Sequence, residues 1–347
     1  MNTKSIRDYG IVIGNHPTGK LNRITDVPGV LVGHCTIDTE KYKTGVTVII
    51  PGEGNIYTDK AVAAAHVING FGKSQGLLQL NELGQLETPI ALTSTLNVGL
   101  VHDALVEYSI KRCAEDNCQV WTVNPVVGET NDCRLSRAQD RPVKKEHVFA
   151  AIDAACREFD QGDVGAGKGT TCFGFKGGIG SSSRLLTLGE KTYTIGVLVQ
   201  SNFGSTWELM IDGKHTGRSI YNEINNPSVE DKGSIMIVAA TDLPLSSRQI
   251  NRMIRHAAVG LARTGSLVGQ QSGDFAIGFT TANRIPSNGD TERRVTAFNE
   301  NCMEPVFNAY IEAVEESILN SLTMSDSVTG YDGDFVHSLN DFLPRYI

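Results

Sequence analysis

Apolar residues fall along the chain in short, mostly continuous runs rather than in clean alternation. Runs at 30–35 (VLVGHC), 46–50 (VTVII), 89–92 (PIAL), 119–123 (QVWTV), 193–200 (YTIGVLVQ), 234–240 (SIMIVAA) and 275–280 (FAIGFT) read as strands. Unbroken apolar character predicts strands covered on both faces. Segments long enough for helices lie near 59–70, 98–115, 146–159, 246–263 and 303–321. The fourth of these is the best marked. Ser246 and Gln249 form an S-x-x-Q capping box just after Pro244, and Ile250, Met253, Ile254, Ala257 and Leu261 recur at helical steps. Sheets covered by helices make a layered α/β domain, and no composition shift marks a linker.

Composition narrows the class. The chain has 347 residues, 40% hydrophobic and 20% charged, with a formal net charge of −8. That supplies a sizeable core and argues against disorder and against a basic nucleic-acid-binding face. Nothing reads as a spanning helix or a secretory signal, so the expectation is a cytoplasmic protein. The seven cysteines are odd in number and show no C-x-x-C or zinc spacing, which predicts reduced thiols and no metal site.

Several stretches invite chemistry. Residues 162–170, GDVGAGKGT, nearly spell a phosphate loop, but Gly169 stands where a Ser or Thr should hold magnesium. A closely packed glycine-rich connection is the better reading. The histidines are scattered, and His34 and His66 read as structural. More informative is the end of the polar stretch 212–232, which reads as a surface loop and runs through Gly233 into Ser234 at the head of an apolar strand. A serine hydroxyl needs a neighbouring base to become a nucleophile. Were the bond before it cut, Ser234 would gain an α-amine with a pKa of about 7.7–8, a base of suitable strength beside its own hydroxyl. Ser272 and Asp274, two apart on an extended segment, would point to one face.

Around that junction, residues 233–284 resemble the self-processing L-aminopeptidase/D-esterase (DmpA-type) and β-aminopeptidase family. So do ITDVPGVLVGHCTI at 24–37, ETPIALTSTLNVGLVHDA at 87–104, NPVVGETND at 124–132, GAGKGTTCFGFKGGIGSSSR at 165–184 and GVLVQSNFG at 196–204. The resemblance runs in order through most of the chain. It implies a four-layer αββα sandwich of the DmpA/ornithine acetyltransferase type, with residues 1–347 as a single domain. It also implies self-cleavage into an α chain 1–233 and a β chain 234–347, at Gly233–Ser234.

The same likeness gives each matched position a role. Ser234 corresponds to the nucleophile, Ser272 and Asp274 to the second serine and the acidic residue that support it, and Asn202 to an oxyanion-hole carboxamide. Glu129 corresponds to the carboxylate that binds the substrate's amino group. Beyond it the chain departs from its relatives: Cys133–Arg137 replace a glycine, an aromatic residue and Leu-Asn-Asp. Arg134 therefore stands where an aromatic residue lines the site, which predicts a preference for substrates bearing an acidic group. The implied activity is release of amino-terminal residues from short peptides, amides or esters, with no cofactor, by a homo-oligomer of αβ units. Two alternatives stand beside it: acyl transfer of the ornithine acetyltransferase kind, which uses a threonine nucleophile, and a non-catalytic, uncut ligand-binding relative.

Overall fold

The computed structural model describes residues 4–224, 227, 228, 230, 233–287 and 291–346. Twelve strands and seven helices carry the architecture. The strands are β1 (Leu31–Asp38), β2 (Lys43–Ile50), β3 (Asp59–Gly70), β4 (Gln85–Leu86), β5 (Ile90–Ser94), β6 (Val126–Thr130), β7 (Thr171–Cys172), β8 (Phe175–Lys176), β9 (Ile179–Leu188), β10 (Lys191–Asn202), β11 (Ser234–Thr241) and β12 (Gly273–Pro286). The helices are α1 (Leu77–Leu83), α2 (Val98–Glu115), α3 (Lys145–Asp153), α4 (Thr216–Ile220), α5 (Ser247–Ile254), α6 (Ala257–Arg263) and α7 (Met303–Thr323).

Two sheets lie face to face, one ordered β1-β2-β5-β6 and the other β4-β3-β12-β11-β10-β9. Alternation along β11 shows why the strands are apolar throughout. Met236, Val238 and Ala240 enter the core between the sheets, against Ile49, Ile90, Leu92 and Val126. Ile235, Ile237 and Ala239 enter a second core with Val306, Tyr310, Ala313 and Val314 of α7. A third core packs Val46, Val48, Ala91 and Val127 against α2 and α3. These layers are the four-layer αββα sandwich.

Four sequence readings are corrected. Residues 59–70 are strand β3, not a helix. Four alanines favour a helix locally, but Ala61, Ala63 and Ala65 alternate into the inter-sheet core, and tertiary packing overrides propensity. Residues 119–123 form no strand; Trp121 is 83% exposed there, and the buried strand is Val126–Thr130. The helix expected over 246–263 divides into α5 and α6 at Arg255–His256. The helix expected near 146–159 stops at Asp153. The capping box holds: Gln249 N donates to Ser246 Oγ at 3.3 Å and Ser246 N donates to Gln249 Oε1 at 3.0 Å. Within the expected surface loop 212–232, the helix α4 buries Thr216, Gly217 and Ile220, while residues 225, 226, 229, 231 and 232 lie outside the described residues.

The near-miss phosphate loop is packed as a connection. Gly165, Ala166 and Gly167 form a buried turn, and the Lys168 ammonium is held between Asp163 at 2.7 Å and Asp38 at 2.8 Å.

The junction's position has a mechanical consequence. β11 and β12 are the two central strands of the six-stranded sheet, flanked by β10 and β3. Buried Arg184 of β9 also holds Glu312 (3.1 Å) and Glu316 (2.7 Å) of α7. The segment after residue 233 is thus clamped by the segment before it.

Candidate active site

Register brings three strand ends together. Asn202 closes β10 opposite Ser234, which opens β11, and Ser234 is level with Gly273, which opens β12. Adjacent strands lie about 4.8 Å apart, so the three positions form one row at the sheet's edge. All three residues are buried. Long apolar strands fix this register, because a one-residue slip would turn each strand's core residues to the opposite face.

Main-chain contacts set the junction. Gly273 N donates to Gly233 O at 3.1 Å, so an amide already rests on the carbonyl ahead of Ser234. A Cβ on Gly233 would overlap the carbonyl oxygen of Asn202, and glycine is what allows the chain to pass there. Thr171 N donates to Asn202 Oδ1 at 3.0 Å, which turns the Nδ2 group of the carboxamide the other way.

Ser272 Oγ donates to Asp274 Oδ1 at 2.7 Å, so the i, i+2 pair is formed as expected. The carboxylate accepts the Ser272 hydroxyl hydrogen bond and leaves that oxygen's lone pairs as acceptors. Ser272 is held by its own turn, with Ser272 N donating to Gly269 O at 2.9 Å, and by the Asn69 side chain, which donates to the Ser272 carbonyl. Among the described residues no hydrogen bond joins the Ser272 and Ser234 hydroxyls.

Glu129 lies near the end of β6, an edge strand of the other sheet, and is buried. Lys73 N donates to its Oε1 at 3.0 Å. Its neighbour Gly128 packs on the Met236 side chain of β11, two residues along from Ser234. Arg134 is engaged in an ion pair: its Nε binds Asp334 Oδ2 at 2.7 Å.

Two buried titratable groups flank this corner. Burial pushes the Asp132 carboxyl up to about 7, with the nearby Glu129 charge adding to the effect. Burial pulls the Lys176 ammonium down to about 7. Lys176 Nζ donates to the carbonyls of Gly167 (2.9 Å), Thr170 (3.0 Å) and Gly177 (2.6 Å), which fixes the glycine-rich connection leading to Thr171. Sequence reading assigned no role to Thr171, Gly273, Asn69, Asp132 or Lys176, although only Asn69 lay outside the family-like stretches.

Among the described residues no cluster of three His, Cys, Asp or Glu side chains is arranged to hold a metal ion, and no helix is long and apolar enough to cross a membrane.

Comparison with known proteins gives the family and the fold. The chain is 40% identical over 365 residues to the β-peptidyl aminopeptidase BapA of Sphingosinicella xenopeptidilytica, covering 98% of this chain and 90% of that one. A solved protein of Pyrococcus horikoshii superposes with a TM-score of 0.93 at 43% identity, over 99% of this chain and 98% of that chain. The L-aminopeptidase D-Ala-esterase/amidase of Ochrobactrum anthropi is described as a prototype of the serine aminopeptidases and a variant of the Ntn hydrolase fold. It superposes with a TM-score of 0.90 at 32% identity, over 96% of this chain and 95% of that chain. Residues 22–336 match peptidase family S58, and the chain belongs to that family.

Proposed function

We propose that the chain is a serine aminopeptidase of the DmpA type that activates itself by cleavage between Gly233 and Ser234. The row formed by Asn202, Ser234 and Gly273 is the observation that carries this reading.

In the uncut chain Ser234 Oγ attacks the Gly233 carbonyl carbon. The Gly273 amide, already on that carbonyl oxygen, is a donor for the oxyanion that develops. The Gly233–Ser234 bond breaks as an ester forms on Oγ, and water then hydrolyses the ester. The residues become an α chain 1–233 and a β chain 234–347 that remain interlocked within one domain.

The new α-amine of Ser234 serves as the base in turnover. It takes the hydroxyl proton as Oγ attacks the substrate carbonyl, and Ser272 Oγ, beside that row, accepts a hydrogen bond from the resulting ammonium. It then returns that proton to the departing amine or alcohol. Asp274 orients Ser272 and favours the transient positive charge on the amine. Asn202, its Oδ1 already occupied by Thr171 N, offers Nδ2 to the oxyanion. Glu129 accepts the substrate's ammonium, a charge-assisted contact in a buried setting. Water releases the acyl group from Ser234.

BapA is a β-peptidyl aminopeptidase and the Ochrobactrum enzyme an L-aminopeptidase and D-Ala-esterase/amidase, which supports short amino-terminal peptides, amides and esters as substrates. An oligomer of αβ units is part of the reading by its likeness to the family. Arg134 contributes a preference for acidic substrates, moderated by its ion pair with Asp334.

A panel of aminoacyl nitroanilides tests the reading. Compounds with a free amine are hydrolysed, their N-acetylated counterparts are not, and acidic side chains modestly exceed neutral ones. Equal hydrolysis of acetylated compounds contradicts the Glu129 role, and acyl transfer to an added amine without hydrolysis favours the transferase alternative.

A further inference from the structure

Asp132 lies two residues beyond β6 and is fully enclosed. Its main-chain carbonyl closes a turn by accepting Leu135 N at 3.1 Å and Ser136 N at 3.0 Å. Its side chain is pressed inward: a Cβ at Gly169 would come within 2.8 Å of the Asp132 Cβ and would also overlap the Lys43 carbonyl. Yet among the described residues neither carboxyl oxygen completes a hydrogen bond, and the Thr44 and Thr130 hydroxyls likewise find no partner. Thr44 faces the carboxyl without reaching good hydrogen-bond geometry.

Buried polar groups are nearly always partnered, and an ionised carboxylate without donors is especially costly. Such a group either keeps its proton or waits for a cation. The charged groups facing it are Glu129, whose charge opposes ionisation, and Lys176, whose charge favours it. Lys176 is already committed to three carbonyls. Burial is the main reason Asp132 keeps its proton; an ammonium brought to Glu129 would cancel the added repulsion of that charge and offset part of the burial cost.

We infer that Asp132 is a second acidic partner for the substrate's ammonium, a positioning residue that acts through Glu129 and acquires its charge when a cationic amine binds. This rests on the assignment of Glu129 as the amine acceptor. Amine binding and loss of the Asp132 proton are then linked, and each favours the other. The proton released on binding passes to solvent. A purely structural Asp132 would show no such linkage.

The test uses n-butylammonium as a competitive inhibitor of the self-cleaved enzyme. A primary alkylamine titrates near the lysine value of about 10.4, so the probe stays charged from about pH 6 to about pH 8.5. Wild-type affinity is expected to rise roughly tenfold across that window, the size of one proton linked over one pH unit. Part of the rise comes from the Ser234 amine losing its charge, and that part survives in Asp132→Asn. Asp132→Asn should flatten the remainder, and Asp132→Glu should restore a step. An Asp132→Asn curve that superimposes on wild type overturns the inference.

Glu129→Gln separates the two claims. If it leaves butylammonium affinity unchanged, the amine-site assignment itself fails. If it weakens binding while Asp132→Asn changes nothing, only the present inference fails. Should Asp132→Asn not fold, infrared difference spectroscopy of the wild type decides. With aspartate ¹³C-labelled, adding butylammonium near pH 6.5 should bleach one protonated-carboxyl band, and no bleach contradicts the inference.

Discussion

The strand-end row and the corner at Glu129, where we propose that the amine binds, are built on opposite principles. In the row, Asn202, Ser234 and Gly273 are aligned by the register of three long strands, and the decisive contacts come from main-chain amides of Thr171 and Gly273. In the corner, Glu129 sits near the end of an edge strand, and Asp132 and Arg134 follow it in a turn. There the groups are side chains, one of them a buried carboxyl to which no described residue completes a hydrogen bond. In the proposed mechanism, chemistry common to many substrates is fixed by the backbone, while recognition is placed where a turn can change without disturbing the register.

The sharpest way to break this contrast is Asn202→Ala. Removing one oxyanion donor should lower kcat roughly 10²–10³-fold with little change in KM. Steady-state kinetics on a neutral aminoacyl nitroanilide reads the split, and a pure KM effect would place Asn202 on the recognition side. Glu129→Gln should do the reverse. Loss of a charge-assisted hydrogen bond worth about 1.5–3 kcal/mol predicts a rise in KM of roughly 10- to 100-fold, with self-cleavage intact. A Glu129→Gln chain that fails to cut itself would join the two regions into one.

The last effect concerns stability rather than turnover. Burial raises Asp132 to about 7 in the folded protein, whereas an unfolded aspartate titrates near 3.9. Between these values the folded chain holds more protons than the unfolded one, so this group's contribution to stability falls as pH rises and levels off above about 7. Asp132→Asn should therefore be more stable than wild type near pH 8, by at most about 4 kcal/mol from a shift of roughly 3 units, and show no gain near pH 4. Thermal unfolding at the two pH values measures it. Equal midpoints at alkaline pH would mean that the buried carboxyl carries no such cost.

Legibility in the sequence followed the same division. Helix α2 was readable to its limits, as was the α5 capping box, because local periodicity and capping chemistry determine both. β3 was not readable, since Ala63, Ala64 and Ala65 favour a helix until neighbouring strands claim them. Strand β9, with Ser181, Ser182 and Ser183 at its centre, carries little apolar signal although all three are buried. At the site, the Gly233–Ser234 junction and the Ser272–Asp274 pair could be found from spacing and chemistry, and the family likeness assigned them roles. The Thr171–Asn202 and Gly273–Gly233 contacts could not, because they depend on which strands lie side by side. Nor could the surroundings of Arg134, whose partner Asp334 is 200 residues away in the chain.

The account stands or falls on a broken peptide bond. Intact-mass and amino-terminal sequencing of freshly purified protein should show two co-purifying fragments, one ending at Gly233 and one beginning at Ser234, separable only in denaturant. Ser234→Ala should give a single uncut chain without activity. A wild-type preparation that hydrolyses aminoacyl nitroanilides while its chain remains whole would contradict the mechanism.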